Sequence, residues 1–222
     1  MSQPIQYQNG SVDFFGRTFF TDSRALIPRF ETEFLVSKTV AWCAQKPQQQ
    51  KWSIIDIGTG SGVIAVSLAL ELPTASITAI DTSLSALALA GENALRHNVV
   101  DRISFKQGNL LTDFDGRADI IVANLPYLPT ERIQRLDSSV KDFEPHQALD
   151  GGTDGLELYR QLFDQIAKLP HRPSLCVFEI DDGQEDAIKK ELAKKLPDAS
   201  IGILKDTSDF IRYIVLEFNI KS

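Results

Sequence analysis

The sequence predicts an α/β fold: a mostly parallel seven-stranded sheet ending in an antiparallel hairpin, with a small hairpin and helix extension at the N-terminus. Three observations carry that reading. Short apolar runs bounded by turn residues alternate with longer helical patterns, as in βαβ units. A glycine-rich stretch, Gly58-Thr59-Gly60-Ser61-Gly62, joins one such run to an apolar helix. A third run, Ile120-Ile121-Val122-Ala123, is apolar without interruption, the pattern of a strand buried on both faces. That last strand ends abruptly in Asn124-Leu125-Pro126-Tyr127. Pro126 cannot donate to a sheet ladder and holds Leu125 extended, so the strand must stop there. The carboxyl ends of strands are where open α/β sheets bind ligands.

Composition excludes several classes. A chain of 222 residues, 43% hydrophobic and 24% charged, suits one folded α/β unit with a full core. Met1 to Gly10 lacks the apolar centre of a signal peptide. Val63 to Leu72 is interrupted by Ser67 and Glu71 and is too short to span a bilayer, so no membrane partner is expected. Cys43 and Cys176 show no C-x-x-C spacing and are expected as reduced, buried thiols of a cytoplasmic protein. His97, His146 and His171 form no ligand spacing, so no metal is expected. The net charge of −7 argues against a stable nucleic-acid partner, which would call for a basic face. Lys189, Lys190, Lys194 and Lys195 share their helix with Glu185, Asp186 and Glu191 and read as a solvated face.

In chain order, Phe14 to Phe20 reads as a small hairpin. Pro28 followed by acidic residues suits a helix opening, continuing to about Gln45 with Phe34, Leu35, Lys38 and Trp42 near one face. Pro47-Gln48-Gln49-Gln50 reads as a linker. Ser53–Ile57, Ser76–Asp81 and Ile103–Gln107 read as strands, with Val63–Leu72 a helix between the first two. A second helix carries an expected buried stripe of Leu84, Leu87, Ala88, Gly91, Ala94 and Leu95. Pro129 to Val140 is a polar connection with a short helix. The glycine-bearing loop from Phe143 to Leu156 opens a helix near Asp154 that runs towards Lys168, and loops of this length usually serve function. Leu175–Ile180 is a strand, Asp182–Leu196 a helix, and Ile201–Leu204 with Phe210–Phe218 the final hairpin.

Two motifs resemble those of S-adenosylmethionine-dependent methyltransferases. Asp56-x-Gly58-x-Gly60-x-Gly62 lacks the spacing of a dinucleotide fingerprint, since position 63 is Val, and is similar to motif I of the class I enzymes. Asn124-Leu125-Pro126-Tyr127 resembles the Asn-Pro-Pro-Tyr signature of amino-group methyltransferases, with Leu125 in place of a proline. Two further segments narrow the resemblance: Leu-Ile-Pro-Arg-Phe-Glu-Thr-Glu at 26–33, with Phe30 replacing a proline, and Glu-Pro-x-x-Ala-Leu-x-Gly-Gly-x-Asp-Gly-Leu at 144–156. Together they are similar to the protein-(glutamine-N5) methyltransferases of peptide chain release factors, the HemK/PrmC family, over nearly the whole chain.

The resemblance implies a Rossmann-like class I methyltransferase domain over residues 51–222, with residues 1–50 as an extension packed on it. Usual members carry an amino-terminal helical domain as well, and the resemblance, beginning near Tyr7, leads us to expect none in this sequence. The implied cofactor is S-adenosylmethionine. Asp56, Gly58, Thr59, Gly60, Ser61 and Gly62 would wrap its methionine part, with backbone N–H groups facing the carboxylate. Asn109, where such enzymes usually carry Asp, would meet the adenine amine, and Leu110 would pack on the base. Asp81, at the end of its strand, can accept from both ribose hydroxyls or, with Ser83, cap the next helix. The side-chain oxygen of Asn124 and the carbonyl of Leu125 would hold the acceptor NH2, and Asn124 would border the cofactor too. Pro126 would stiffen the turn. Tyr127, with a phenylalanine such as Phe14 or Phe19, would flank the acceptor amide by the sulfonium. The implied partner is a glutamine-bearing loop of a release factor. An adenine-N6 nucleic-acid methyltransferase and a non-catalytic binding module are the alternatives.

Overall fold

The computed structural model describes residues 3–47 and 51–219; the Gln48–Gln50 part of the expected linker lies outside them. A short helix α1 (Ile5–Asn9) leads into the hairpin β1 (Ser11–Phe14) and β2 (Arg17–Phe20). Phe15 and Gly16 turn it at φ 50 and 70, the two left-handed residues of a tight primed turn. Then come α2 (Glu33–Ala44), β3 (Ser53–Ile57), α3 (Val63–Glu71), β4 (Ser76–Asp81), α4 (Leu84–Arg96) and β5 (Ile103–Gln107). β6 (Ile120–Ala123) precedes the one-turn helices α5 (Thr130–Ile133) and α6 (Ser138–Lys141). The chain closes with α7 (Glu157–Lys168), β7 (Leu175–Glu179), α8 (Glu185–Lys195), β8 (Ala199–Lys205) and β9 (Ile211–Phe218).

The seven-stranded sheet has the order β5-β4-β3-β6-β7-β9-β8. Pairings from β5 through β7 are parallel, and β9 runs antiparallel to both β7 and β8. Chain order reverses between β3 and β6, which makes the crevice beyond their carboxyl ends the topological switch point. β3, β6 and β7 are buried almost throughout because both faces are covered. One face carries Leu35, Trp42, Trp52, Ile54 and Leu68 under α2 and α3, while the other carries Tyr159, Phe163, Phe178, Ile188 and Leu192 under α7 and α8.

Two helical expectations are corrected. The segment after Pro28 does not open a helix: Arg29 is extended at φ −102 and ψ 148, Phe30–Thr32 form a 3-10 turn, and α2 begins only at Glu33. The reason is long-range. Ile27 N–H donates to Glu144 Oε2 at 3.0 Å and Arg29 pairs with Glu144 Oε1 at 2.6 Å, so a distant loop holds these residues extended. The buried face of α2 is Leu35, Val36, Thr39, Trp42 and Cys43, leaving Lys38 outside it. The stripe of α4 is also rotated: Ala86, Leu87, Leu89, Ala90, Asn93 and Ala94 are buried, while Leu84 and Leu95 are 64% and 62% exposed.

Asn93 explains that rotation. Its amide donates to Phe20 O at 3.0 Å and Ser61 O at 2.8 Å, and its oxygen accepts from Phe20 N–H at 2.7 Å. A buried amide thus ties the N-terminal hairpin to the glycine-rich loop. We expect Asn93→Leu to leave the buried Ser61 carbonyl unpaired and to free both backbone groups of Phe20, destabilising the protein by about 1–3 kcal/mol, read as a shift of the urea unfolding midpoint.

Candidate active site

The loop after β3 and the corner after β6 meet at the switch point. Between them lies a cavity of about 960 Å³. Gly58, Thr59, Gly60, Ser61, Asp81, Asn109, Leu110, Asn124, Leu125 and Pro126 border it, so most of the residues singled out by sequence are brought together. Asp56, Gly62 and Tyr127 are not among its lining residues.

Asp56 sits fully buried beneath the loop as its staple. Its Oδ2 accepts from the Thr59 hydroxyl at 2.6 Å and from Ala65 N–H at 3.1 Å, while Oδ1 has no partner. Burial outweighs these bonds and pushes its pKa from 3.8 up to about 7. Gly62 caps α3 in the left-handed region, where an added Cβ would lie 2.8 Å from Ala90 Cβ, so its role is close packing of α4 on the loop.

The loop's own hydrogen bonds modify the expected anion cradle. Gly58 and Thr59 N–H donate to Ile80 O, Gly60 N–H to Asp81 Oδ2 at 2.9 Å, and Gly62 N–H to Thr59 O. Among the described residues, the Ser61 amide and the first amides of α3, Val63 and Ile64, have no partner, and all three residues border the cavity. An anionic group therefore finds its donors there, at the open end of α3. Asp81 takes the expected place at the start of α4 and still borders the cavity. Its Oδ1 accepts from Ser83 N–H at 2.9 Å, Ser83 itself caps α4, and each carboxylate oxygen keeps a lone pair for a ligand hydroxyl. Leu110, at φ 55, turns its side chain into a wall shared with Ile80.

The corner after β6 is held by neighbours on every side. Asn124 Nδ2 donates to Thr32 Oγ1 at 3.0 Å, and the Thr32 hydroxyl donates to Glu179 Oε2 at 2.8 Å. The Tyr127 hydroxyl donates to Glu179 Oε1 at 3.1 Å, turning that side chain towards β7. Tyr159 offers its hydroxyl to Leu125 N–H and donates to Glu179 O. Gln184 Nε2 donates to Tyr127 O at 2.8 Å. Asn124 Oδ1 and Leu125 O, like Pro126 O, receive no hydrogen bond from the described residues. Leu125, in the place where a proline is usual, is buried, with Cδ2 only 3.1 Å from where a Gly58 Cβ would stand. Packing supplies the stiffness that the missing ring would have given.

The loop from Glu144 to Leu156 turns out to be the frame of that corner. Gly151 N–H donates to Leu128 O, and Leu128 N–H to Leu149 O. A Cβ on Gly151 would stand 2.6 Å from Pro126 O, and one on Gly155 only 2.0 Å from Tyr127 O. Only glycine lets these backbones approach so closely. At its other end the loop reaches Thr82, whose hydroxyl accepts from Gln147 Nε2 at 2.7 Å.

The expectations for the aromatics are overturned: Tyr127 does not border the cavity, because its hydroxyl is drawn to Glu179, and the two phenylalanines lie in the core. Phe14 and Phe19 are 1% and 0% exposed, stacked edge-on with centroids 6.1 Å apart in the core beneath the hairpin, and neither borders the cavity. Their alternation placed them on the buried side of the strands. Sequence reasoning missed Thr32, Glu144 and Glu179. The first two lie inside segments whose pattern was noticed without any role being assigned; Glu179, an acid closing an apolar strand, gave the same signal as Asp81.

Comparison with known proteins agrees with this geometry. Residues 32–137 match the family described as "Methyltransferase small domain". The chain is 34% identical over 217 residues to the "Release factor glutamine methyltransferase" of Bacillus cereus, covering 96% of this chain and 76% of that protein. It is 38% identical to the enzyme of the same name from Bacillus subtilis, covering 91% and 71%. Among solved structures it resembles ribosomal protein L11 methylase from Lactobacillus delbrueckii subsp. bulgaricus, with a TM-score of 0.61, 22% identity and coverage of 87% and 81%. It also resembles the N-terminal domain of human METTL16 in complex with SAH, with a TM-score of 0.66, 15% identity and coverage of 93% and 77%. These two likenesses concern the fold.

Two expectations follow from the site's packing and charge. Because Asp56 keeps its proton in the native state up to about 7 but loses it near 3.8 when unfolded, stability should fall as pH rises between those values. Glu179, pushed from 4.5 to about 7, acts in the same sense. Asp56→Asn should therefore flatten, without abolishing, the slope of unfolding free energy against pH in denaturant titrations. Gly155→Ala should cost about 1–3 kcal/mol through overpacking against Tyr127 O, seen as a thermal midpoint several degrees lower.

Proposed function

The chain belongs to the release factor glutamine methyltransferase family, and from that membership we propose that it methylates the side-chain amide N5 of a glutamine in the Gly-Gly-Gln loop of a peptide chain release factor. The observation that carries this reading is the pair of open acceptors, Asn124 Oδ1 and Leu125 O, at the rim of the cavity. A primary amide has two N–H bonds, and a rigid pair of acceptors accommodates both.

The cavity fits S-adenosylmethionine by the chemistry of its donors and acceptors. The Ser61, Val63 and Ile64 amides suit a carboxylate, Asp81 suits two vicinal hydroxyls, and Leu110 with Ile80 suits the face of a base. When bound, that cofactor supplies a methyl group activated by a sulfonium. The chain's own residues do the rest. An amide nitrogen is a poor nucleophile because its lone pair is delocalised into the carbonyl. Asn124 Oδ1 and Leu125 O draw on its two hydrogens, hold it in one orientation and favour positive charge developing on nitrogen. Pro126 and the packed side chain of Leu125 keep the two acceptors at a fixed spacing. Tyr127 acts from behind the corner, through its bond to Glu179.

Residues 51–222 make up the methyltransferase domain in this reading, with residues 1–50 as an extension upon it; contacts of α2 with α3 and β7 support that division. The cytoplasm, where release factors act, is the proposed setting. No helix among the described residues is long and apolar enough to cross a membrane.

Incubating the protein with a release factor and S-adenosylmethionine should raise the mass of the Gly-Gly-Gln peptide by about 14 Da, the mass of CH2. Asn124→Ala should still bind the cofactor and lose about 10²–10³-fold in kcat. An unmodified glutamine, or full turnover in Asn124→Ala, would overturn the reading.

A further inference from the structure

Asn124 can serve as an acceptor only if its side chain keeps its oxygen towards the cavity, and an amide side chain is free in principle to turn by half a revolution. What stops it lies two residues away in a chain of hydrogen bonds. Thr32 Oγ1 stands 3.0 Å from Asn124 Nδ2 and 2.8 Å from Glu179 Oε2, and Thr32 is itself 4% exposed. A hydroxyl has a single proton. An ionised carboxylate has none to give, so the Thr32 proton must go to Glu179, and Thr32 can only accept from its other neighbour. Asn124 must then turn its NH2 inward and its oxygen outward.

We propose that Glu179 is a positioning residue: its carboxylate sets the direction of the hydrogen bonds through Thr32 and so keeps the Asn124 oxygen aimed at the acceptor amide. The inference rests on the reading of Asn124 given above. Glu179 is well placed for it. It closes β7 beside β6, is 1% exposed, and receives Tyr127 on its other oxygen at 3.1 Å, so one carboxylate orders both polar members of the corner. Burial weighs most against its charged form and Glu31 of the 3-10 turn adds to that, while the bonds from Thr32 and Tyr127 and the charge of Arg212 on β9 favour it. A glutamine at this position could donate as well as accept, and the chain could then run either way.

The test uses the full-length protein with a release factor as acceptor, near pH 8, where Glu179 is ionised. Thr32→Val and Glu179→Gln should each lower kcat about tenfold, the rate equivalent of one orienting hydrogen bond, with the dissociation constant of S-adenosylmethionine unchanged. Thr32→Ser keeps the hydroxyl and should recover most of the turnover that Thr32→Val loses. Added to Asn124→Ala, neither substitution should cost anything more, because both act through Asn124. Full kcat in Thr32→Val, or an equal further loss in the Asn124→Ala background, overturns the inference. If Asn124→Ala alone loses turnover while Thr32→Val does not, only this inference falls; if Asn124→Ala retains turnover, the reading beneath it falls too.

Discussion

A buried strand that ends in proline leaves backbone polar groups with no ladder to join, and the site is organised around that shortage. Beyond Ala123 the sheet offers nothing to Leu125, Pro126, Tyr127 or Leu128. Leu125 N–H, Tyr127 O and both backbone groups of Leu128 are met by Tyr159, Gln184 and the backbone of residues 149–151. Oxygens on Asn124, Leu125 and Pro126 are left over at the cavity rim. An unpaired acceptor at the rim of a cavity favours recognition of an N–H group, since no bond within the protein has to be broken to make it.

Close backbone approach makes this satisfaction possible. Gly151 and Gly155 press against Pro126 O and Tyr127 O at distances that no Cβ could share. Gly58 packs tightly on the Leu125 side chain, which links the loop after β3 to the corner after β6. The two halves of the site are therefore packed against each other directly. A change in one is transmitted to the other as a steric shift, because close-packed interiors have little room to absorb it. The Glu144 carboxylate adds a further tie. It gathers Ile27 and Arg29 and so brings Thr32 to the cavity.

How much of this was legible in the sequence varied with the range of the interaction. β3, β4 and β5 could be bounded to the residue, and the two principal motifs could be set at strand ends, because alternation, glycine spacing and proline act over a few neighbouring residues. The stripe of α4 was misjudged because Asn93, a polar residue, is buried by partners at Phe20 and Ser61. The helix expected at Pro28 was displaced because its first residues are held extended by Glu144, more than a hundred positions away. Phe14 and Phe19 were read as candidate site aromatics although the pleat of their hairpin turns them inward.

Taken alone, the sequence determined the α/β architecture, the strand that carries the corner and the residue types placed there, since those follow from local backbone preferences and residue type. Only the tertiary structure decided which way the acceptors among them face. The orientation of an amide depends on the proton inventory of its neighbours, Thr32 and Glu179, and these meet Asn124 only when three separate stretches of chain are folded together.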